Sequence, residues 1–139
     1  MKTSSTALID TSALLAVVHP RDQHHAEAVA IGRRFVSQRG RWVGTTLVLA
    51  ELHTHLLRAR GAPLARKHVK ELLEDHTYQW VDAPADLVHD AIAAWLERFG
   101  DQRFSLTDAV SFEVMRREKI ETAFAFDRHF VTAGFELLD

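Results

Sequence analysis

An α/β fold with a mainly parallel sheet is what this sequence predicts, and two observations carry the prediction. Apolar runs of about four residues (Ala7-Leu8-Ile9, Trp42-Val43-Gly44, Tyr78 to Val81, Thr122 to Phe126) alternate with longer stretches of helical spacing. Two of those runs end on an acid, Asp10 and Asp127. In open sheets of this kind function gathers beyond the carboxyl ends of the strands. With 139 residues, 47% of them hydrophobic and 26% charged, the chain reads as a single domain, 1–139, with enough length for a sizeable core.

The elements follow in order. Ala7-Leu8-Ile9 is a strand, Asp10-Thr11-Ser12 a turn, and an apolar run continues from Ala13 to Val18, before Pro20. Ala26, Val29, Ala30 and Phe35 give a helical stripe through 22–39, ended by Gly40. Trp42-Val43-Gly44 is the second strand, and Thr45 or Thr46 caps the helix carrying Glu51. Gly61 stops that helix, and Pro63 sits where a first helical turn favours it. Leu64, Val69, Leu72 and Leu73 mark the next helix, ahead of a strand at Tyr78 to Val81. Pro84 opens the clearest helix: Leu87, Val88, Ala91, Ile92, Trp95, Leu96 and Phe99 recur at helical steps, and Gly100 closes it. A helix from Thr107 to about Glu118 leads into the strand Thr122 to Phe126, and Phe135 to Leu138 is an edge strand. No linker, internal repeat or low-complexity segment interrupts this pattern.

Composition removes several function classes. The chain has no cysteine, so disulfides, thiolate zinc sites and thiol nucleophiles are excluded. No apolar stretch approaches the roughly 20 residues that span a bilayer, and no leader-like start is present, so a cytoplasmic protein is expected. The nine histidines lack ligand spacing: His53 and His55 are two apart, and His-Glu-x-x-His does not occur. No Walker loop, Gly-x-Gly-x-x-Gly or Gly-x-Ser-x-Gly is found. Charge is uneven: of 17 Lys and Arg, nine lie within 31–70, with only one of the 19 acids, Glu51. Such a segment suits nucleic acid or is a set of solvated helix faces; charge alone leaves both open.

The chemistry sits in four acids placed beside apolar runs: Asp10, Glu51, Asp108 and Asp127. Each has an ordinary explanation. Asp10 suits a helix N-cap, Ser105-Leu106-Thr107-Asp108 matches a capping box, Asp127 suits an Asx-turn, and Glu51 borders an apolar face. All four together are harder to explain that way, because acids in core segments need a partner or a metal. Brought together, they make an all-oxygen pocket suited to a hard divalent cation.

At these residues the chain resembles the PIN-domain family, and within it the small VapC-like toxins of bacterial toxin–antitoxin pairs. Leu8-Ile9-Asp10-Thr11-Ser12-Ala13-Leu14-Leu15 and Thr45-Thr46-Leu47-Val48-Leu49-Ala50-Glu51-Leu52 carry the likeness. So do Phe104-Ser105-Leu106-Thr107-Asp108-Ala109 and Ala125-Phe126-Asp127-Arg128-His129-Phe130. The resemblance implies a three-layer α/β/α sandwich with an acidic pocket for Mg²⁺ or Mn²⁺. It assigns Asp10, Glu51 and Asp108 to the core catalytic metal positions, Asp127 to a fourth, more variable one, and Thr107 to polar support. It further implies metal-dependent cleavage of single-stranded or loop RNA, a homodimer, and an antitoxin whose C-terminal segment reaches toward the site.

Rival readings are weaker. A phospho-acceptor receiver domain needs paired acids near the start and a Lys near the last strand, yet Asp10 is followed by Thr11-Ser12 and no Lys lies beyond Lys119. A haloacid-type phosphatase needs Asp-x-Asp, and residue 12 is Ser. A non-catalytic RNA- or protein-binding module on the same fold is the alternative that remains. Under the nuclease reading Arg58 and Arg60 contact phosphates, and Trp42 and Trp80 are candidates for stacking on bases, while Trp95 belongs to the core.

Overall fold

The computed structural model describes residues 5–139. In chain order it contains β1 (Thr6–Ile9), α1 (Thr11–Val18), α2 (His25–Ser37), β2 (Arg41–Thr45), α3 (Thr46–Arg60) and α4 (Ala62–Glu74). There follow β3 (Tyr78–Val81), α5 (Ala85–Ala91), which runs on as π-helix over Ile92–Glu97, α6 (Leu106–Glu118), β4 (Thr122–Phe124), α7 (His129–Thr132) and β5 (Glu136–Leu137). The sheet has the order β3-β2-β1-β4-β5, and every pairing is parallel.

Strand periodicity builds the layers. Leu8, Val43 and Ala123 point to one face and pack with α5 and α6, whereas Ala7, Ile9, Trp42 and Phe124 point to the other and pack with α1, α2 and α3. Helices thus cover both faces, and β1 lies at the centre of the sheet, with Ala7 and Leu8 at 0% exposure. The chain leaves β1 toward β2 and β3, then returns to its other side with β4. That reversal opens a crevice beyond the ends of β1 and β4.

Local signals set most boundaries. Asp10 caps α1, Thr45 caps α3, and Ser105 with Asp108 forms a full capping box on α6. Gly61, at φ +91°, separates α3 from α4. Several expectations need correction. The buried face of α2 is Ala28, Ile31 and Phe35; Ala26 and Ala30 are exposed, because small alanines mark a stripe only weakly. Arg39, not Gly40, takes the left-handed φ of +64° after that helix; Gly40 is needed because the Phe35 ring fills the space of a Cβ. Strand β4 stops at Phe124, two residues earlier than read, and the short α7 was not foreseen. In α4 Ala65 is fully buried and Leu64, Val69 and Leu72 are half-buried, whereas Leu73 is 56% exposed and lies off the buried face. The stripe after Pro84 holds at Leu87, Ala91 and Trp95 although the helix changes winding there.

Candidate metal centre

Three of the four acids do the structural work their local sequence suggests, and each uses one oxygen for it. Asp10 follows β1 and caps α1: its Oδ2 accepts from Ser12 N at 3.2 Å and Ser12 Oγ at 2.6 Å. Ser12 Oγ in turn accepts from Phe126 N at 3.0 Å, tying the chain after β4 to the end of β1. Asp108, in the first turn of α6, accepts from Ser105 N at 3.1 Å, again on Oδ2. Asp127 follows β4 and accepts from His129 N at 2.8 Å on Oδ1. The second oxygen of each accepts no hydrogen bond from the described residues. Glu51 lies in the second turn of α3 and is half-buried.

All four acids line one cleft of about 320 Å³, together with Thr11, Ser12, Leu15, His55, Arg103, Ser105 and His129. Ligand atoms of Asp108, Asp127 and His129 lie within 4.8 Å of one another. Asp10 and Glu51 face the same cleft from outside that tighter group. The cleft leaves its negative charge largely uncompensated. Burial pushes the Asp10 carboxyl up to about 6; Asp108 and Asp127 add to the rise and the Ser12 bonds oppose it. Burial also raises Asp108, against the bonds from Ser105 and His129. Among the described residues none of the four acids is within ion-pair distance of a Lys or Arg; only His129 approaches Asp108 and Asp127.

Hard oxygen donors, one open oxygen on each of three aspartates, and uncompensated charge are the chemistry that a divalent cation such as Mg²⁺ or Mn²⁺ needs. The donor set fits such an ion. A larger cavity of about 630 Å³ lies between α1, α2 and the sheet, but its walls are mostly apolar and carry one acid, Asp75. The chemistry belongs to the smaller cleft.

Sequence reading missed Ser12, His55, Arg103 and His129 as cleft residues. Ser105 supports Asp108 rather than Thr107, which does not line the cleft. Nor do Arg58 and Arg60 line it; both are exposed in the last turn of α3, and Arg60 Nη1 donates to Val18 O at 3.4 Å. The tryptophans are structural: Trp42 is 2% exposed, Trp80 Nε1 donates to Leu72 O at 2.9 Å, and Trp95 Nε1 donates to Glu113 at 3.1 Å.

A parallel α/β sandwich with acids gathered beyond its central strands defines the class of protein. Residues 7–136 match the PIN-domain family, and the chain belongs to that family. It is 32% identical over 127 residues to the 23S rRNA-specific endonuclease VapC20 of Mycobacterium tuberculosis, spanning 91% of this chain and 93% of that protein. The crystal structure of that VapC20, described as a sarcin-ricin loop cleaving toxin, superposes with a TM-score of 0.81 at 31% identity, covering 94% of this chain and 96% of that one. The VapBC2 structure from Rickettsia felis, bound to a promoter DNA fragment, shares the fold at a TM-score of 0.67 and 12% identity, with 95% and 96% of the two chains covered.

Proposed function

We propose that this protein is a metal-dependent endoribonuclease and the toxin of a toxin–antitoxin pair. The observation that carries the reading is the convergence of Asp10, Glu51, Asp108 and Asp127 on one cleft, with no Lys or Arg of the described residues within ion-pair distance of them. The likeness to an rRNA-specific endonuclease over nearly the whole chain supports it. In this reading the chain acts as one domain, 1–139, as a homodimer held in check by an antitoxin protein. RNA as substrate puts its work in the cytoplasm; no helix among the described residues is long and apolar enough to cross a membrane.

Asp10, Asp108 and Asp127 would hold Mg²⁺ or Mn²⁺ through their open oxygens, with Glu51 completing the acidic wall. Held there, such an ion would supply Lewis acidity toward water and toward the phosphate oxygens. The protein supplies the rest. Ser12 and Ser105 fix the carboxylates so that little reorganisation is needed on loading. Arg103, the one Lys or Arg among the described residues that lines the cleft, meets the RNA phosphate, and His55 lies at the same wall. No protein nucleophile is required.

The test is a ribonuclease assay on total RNA that includes intact ribosomes, with Mg²⁺ or Mn²⁺ against EDTA. Cutting that needs the metal and disappears in folded Asp10→Asn is expected. Cutting that survives Asp10→Asn removes the acid cleft from the reaction.

A further inference from the structure

His129 is joined to two of the acids at once. Its Nδ1 lies 2.9 Å from Asp108 Oδ2 and 3.4 Å from Asp127 Oδ1. Its backbone N–H donates to the same Asp127 oxygen at 2.8 Å. With carboxylate oxygens on that side of the ring, Nδ1 carries the proton and acts as donor. The ring is seated edge-on against Phe104, centroids 5.4 Å apart at 70°, and Phe104 is itself 8% exposed in the core. Its direction is therefore set by packing as well as by the acids.

Among the described residues only His129 bonds both carboxylates, Asp108 through its ring and Asp127 through its backbone N–H. Asp108 is carried by α6, whereas Asp127 stands on the segment between β4 and α7. Two like charges within a few ångströms repel, and one residue donating to each of them is the simplest way to hold their spacing. The oxygen of Asp108 that takes Nδ1 is also the one that takes Ser105 N, so protein donors converge on Oδ2 and leave Oδ1 to the cleft.

We infer that His129 is a positioning residue of the metal centre, acting as a hydrogen-bond donor that spaces Asp108 and Asp127 and not as a ligand. The inference rests on the metal-centre reading above. Donors of this kind, one step removed from the ion, are worth about 10- to 100-fold in metal affinity.

Mn²⁺ titration of the full chain, followed by electron paramagnetic resonance, tests it with wild type, His129→Ala, His129→Gln and His129→Asn. Asparagine places an N–H near the position of Nδ1, whereas glutamine moves it outward, and all three variants lose the ring against Phe104. The expected result is Mn²⁺ affinity about ten-fold weaker or more in the Ala and Gln variants, with the Asn variant within about three-fold of wild type. An Asn variant as weak as the Ala variant overturns the inference in favour of ring packing, and Ala affinity equal to wild type overturns it outright. A second readout needs no variant: nitrogen hyperfine coupling from a directly bound imidazole in the wild-type Mn²⁺ complex would make His129 a ligand and overturn the donor role. If wild type binds no Mn²⁺, the metal-centre reading itself fails and takes this one with it.

Discussion

Two regions of this protein bury acids, and they treat them in opposite ways. Glu113, in the middle of α6, is 1% exposed and accepts from Arg116 at 2.6 Å, Arg117 at 2.8 Å and the Trp95 indole at 3.1 Å. Its carboxyl is held down at about 2, first by the Arg116 hydrogen bond, against burial and with help from Arg117 and Trp95. Both arginines are largely exposed, so the cover over Glu113 is thin and made of its own partners. One turn and a half earlier on the same helix, Asp108 is raised, and neighbouring Asp10 is lifted to about 6. A buried acid with complete partners is architecture. Acids left short of partners in a cleft mark a place where something positive is meant to bind.

The sharpest way to break this comparison is to neutralise one acid in each region. Asp10→Asn should lower RNA cleavage by more than about 100-fold, beyond what an outer-sphere partner contributes, while the metal-free protein keeps or gains thermal stability. Cleavage rates and thermal melts on the same samples check both halves. Glu113→Ala should do the reverse. It leaves the buried Trp95 N–H without an acceptor and costs about 1–3 kcal/mol of stability, with cleavage unchanged at low temperature. Loss of cleavage in folded Glu113→Ala would erase the distinction between the regions.

The two sites also predict opposite pH responses. Asp10 goes from 3.8 to about 6 on folding, so the native state binds the extra proton. Metal-free stability is favoured at low pH and declines as pH rises through that window, and bound metal offsets the decline. Glu113 goes from 4.5 to about 2, so its contribution is complete above 4.5 and is lost as pH falls toward 2. Urea melts across pH, comparing wild type with Asp10→Asn and Glu113→Gln, resolve the two terms. An Asp10→Asn profile parallel to wild type between 4 and 6 would sink the first assignment. The smallest expected effect is at the rim of the cleft. Arg103→Ala should weaken RNA binding and reduce its salt slope by about one contact, a larger change than Arg58→Ala, which lies outside the cleft.

How much of this was legible beforehand follows the range of the forces involved. The capping roles of Asp10, Thr45, Ser105 and Asp108 are written within four residues, and each appears in the structure. The strands were found because a central parallel strand must be apolar on both faces, as Ala7 to Ile9 are. Glu113 escaped notice because its partners combine a helical neighbourhood with Trp95, a residue 18 positions away. His129 escaped because its value lies in reaching Asp108 across 21 positions.

The sequence by itself determined the α/β class, the helix starts, the four acids and the family likeness, since periodicity and capping are local properties of the chain. Only the tertiary structure decided that those acids share one cleft, that Ser12 and His129 hold them, and that Trp42 is core. Those facts depend on the strand order β3-β2-β1-β4-β5, which brings the ends of β1 and β4 together. Contacts between residues more than a hundred positions apart, such as Ser12 with Phe126, exist only once the sheet has closed.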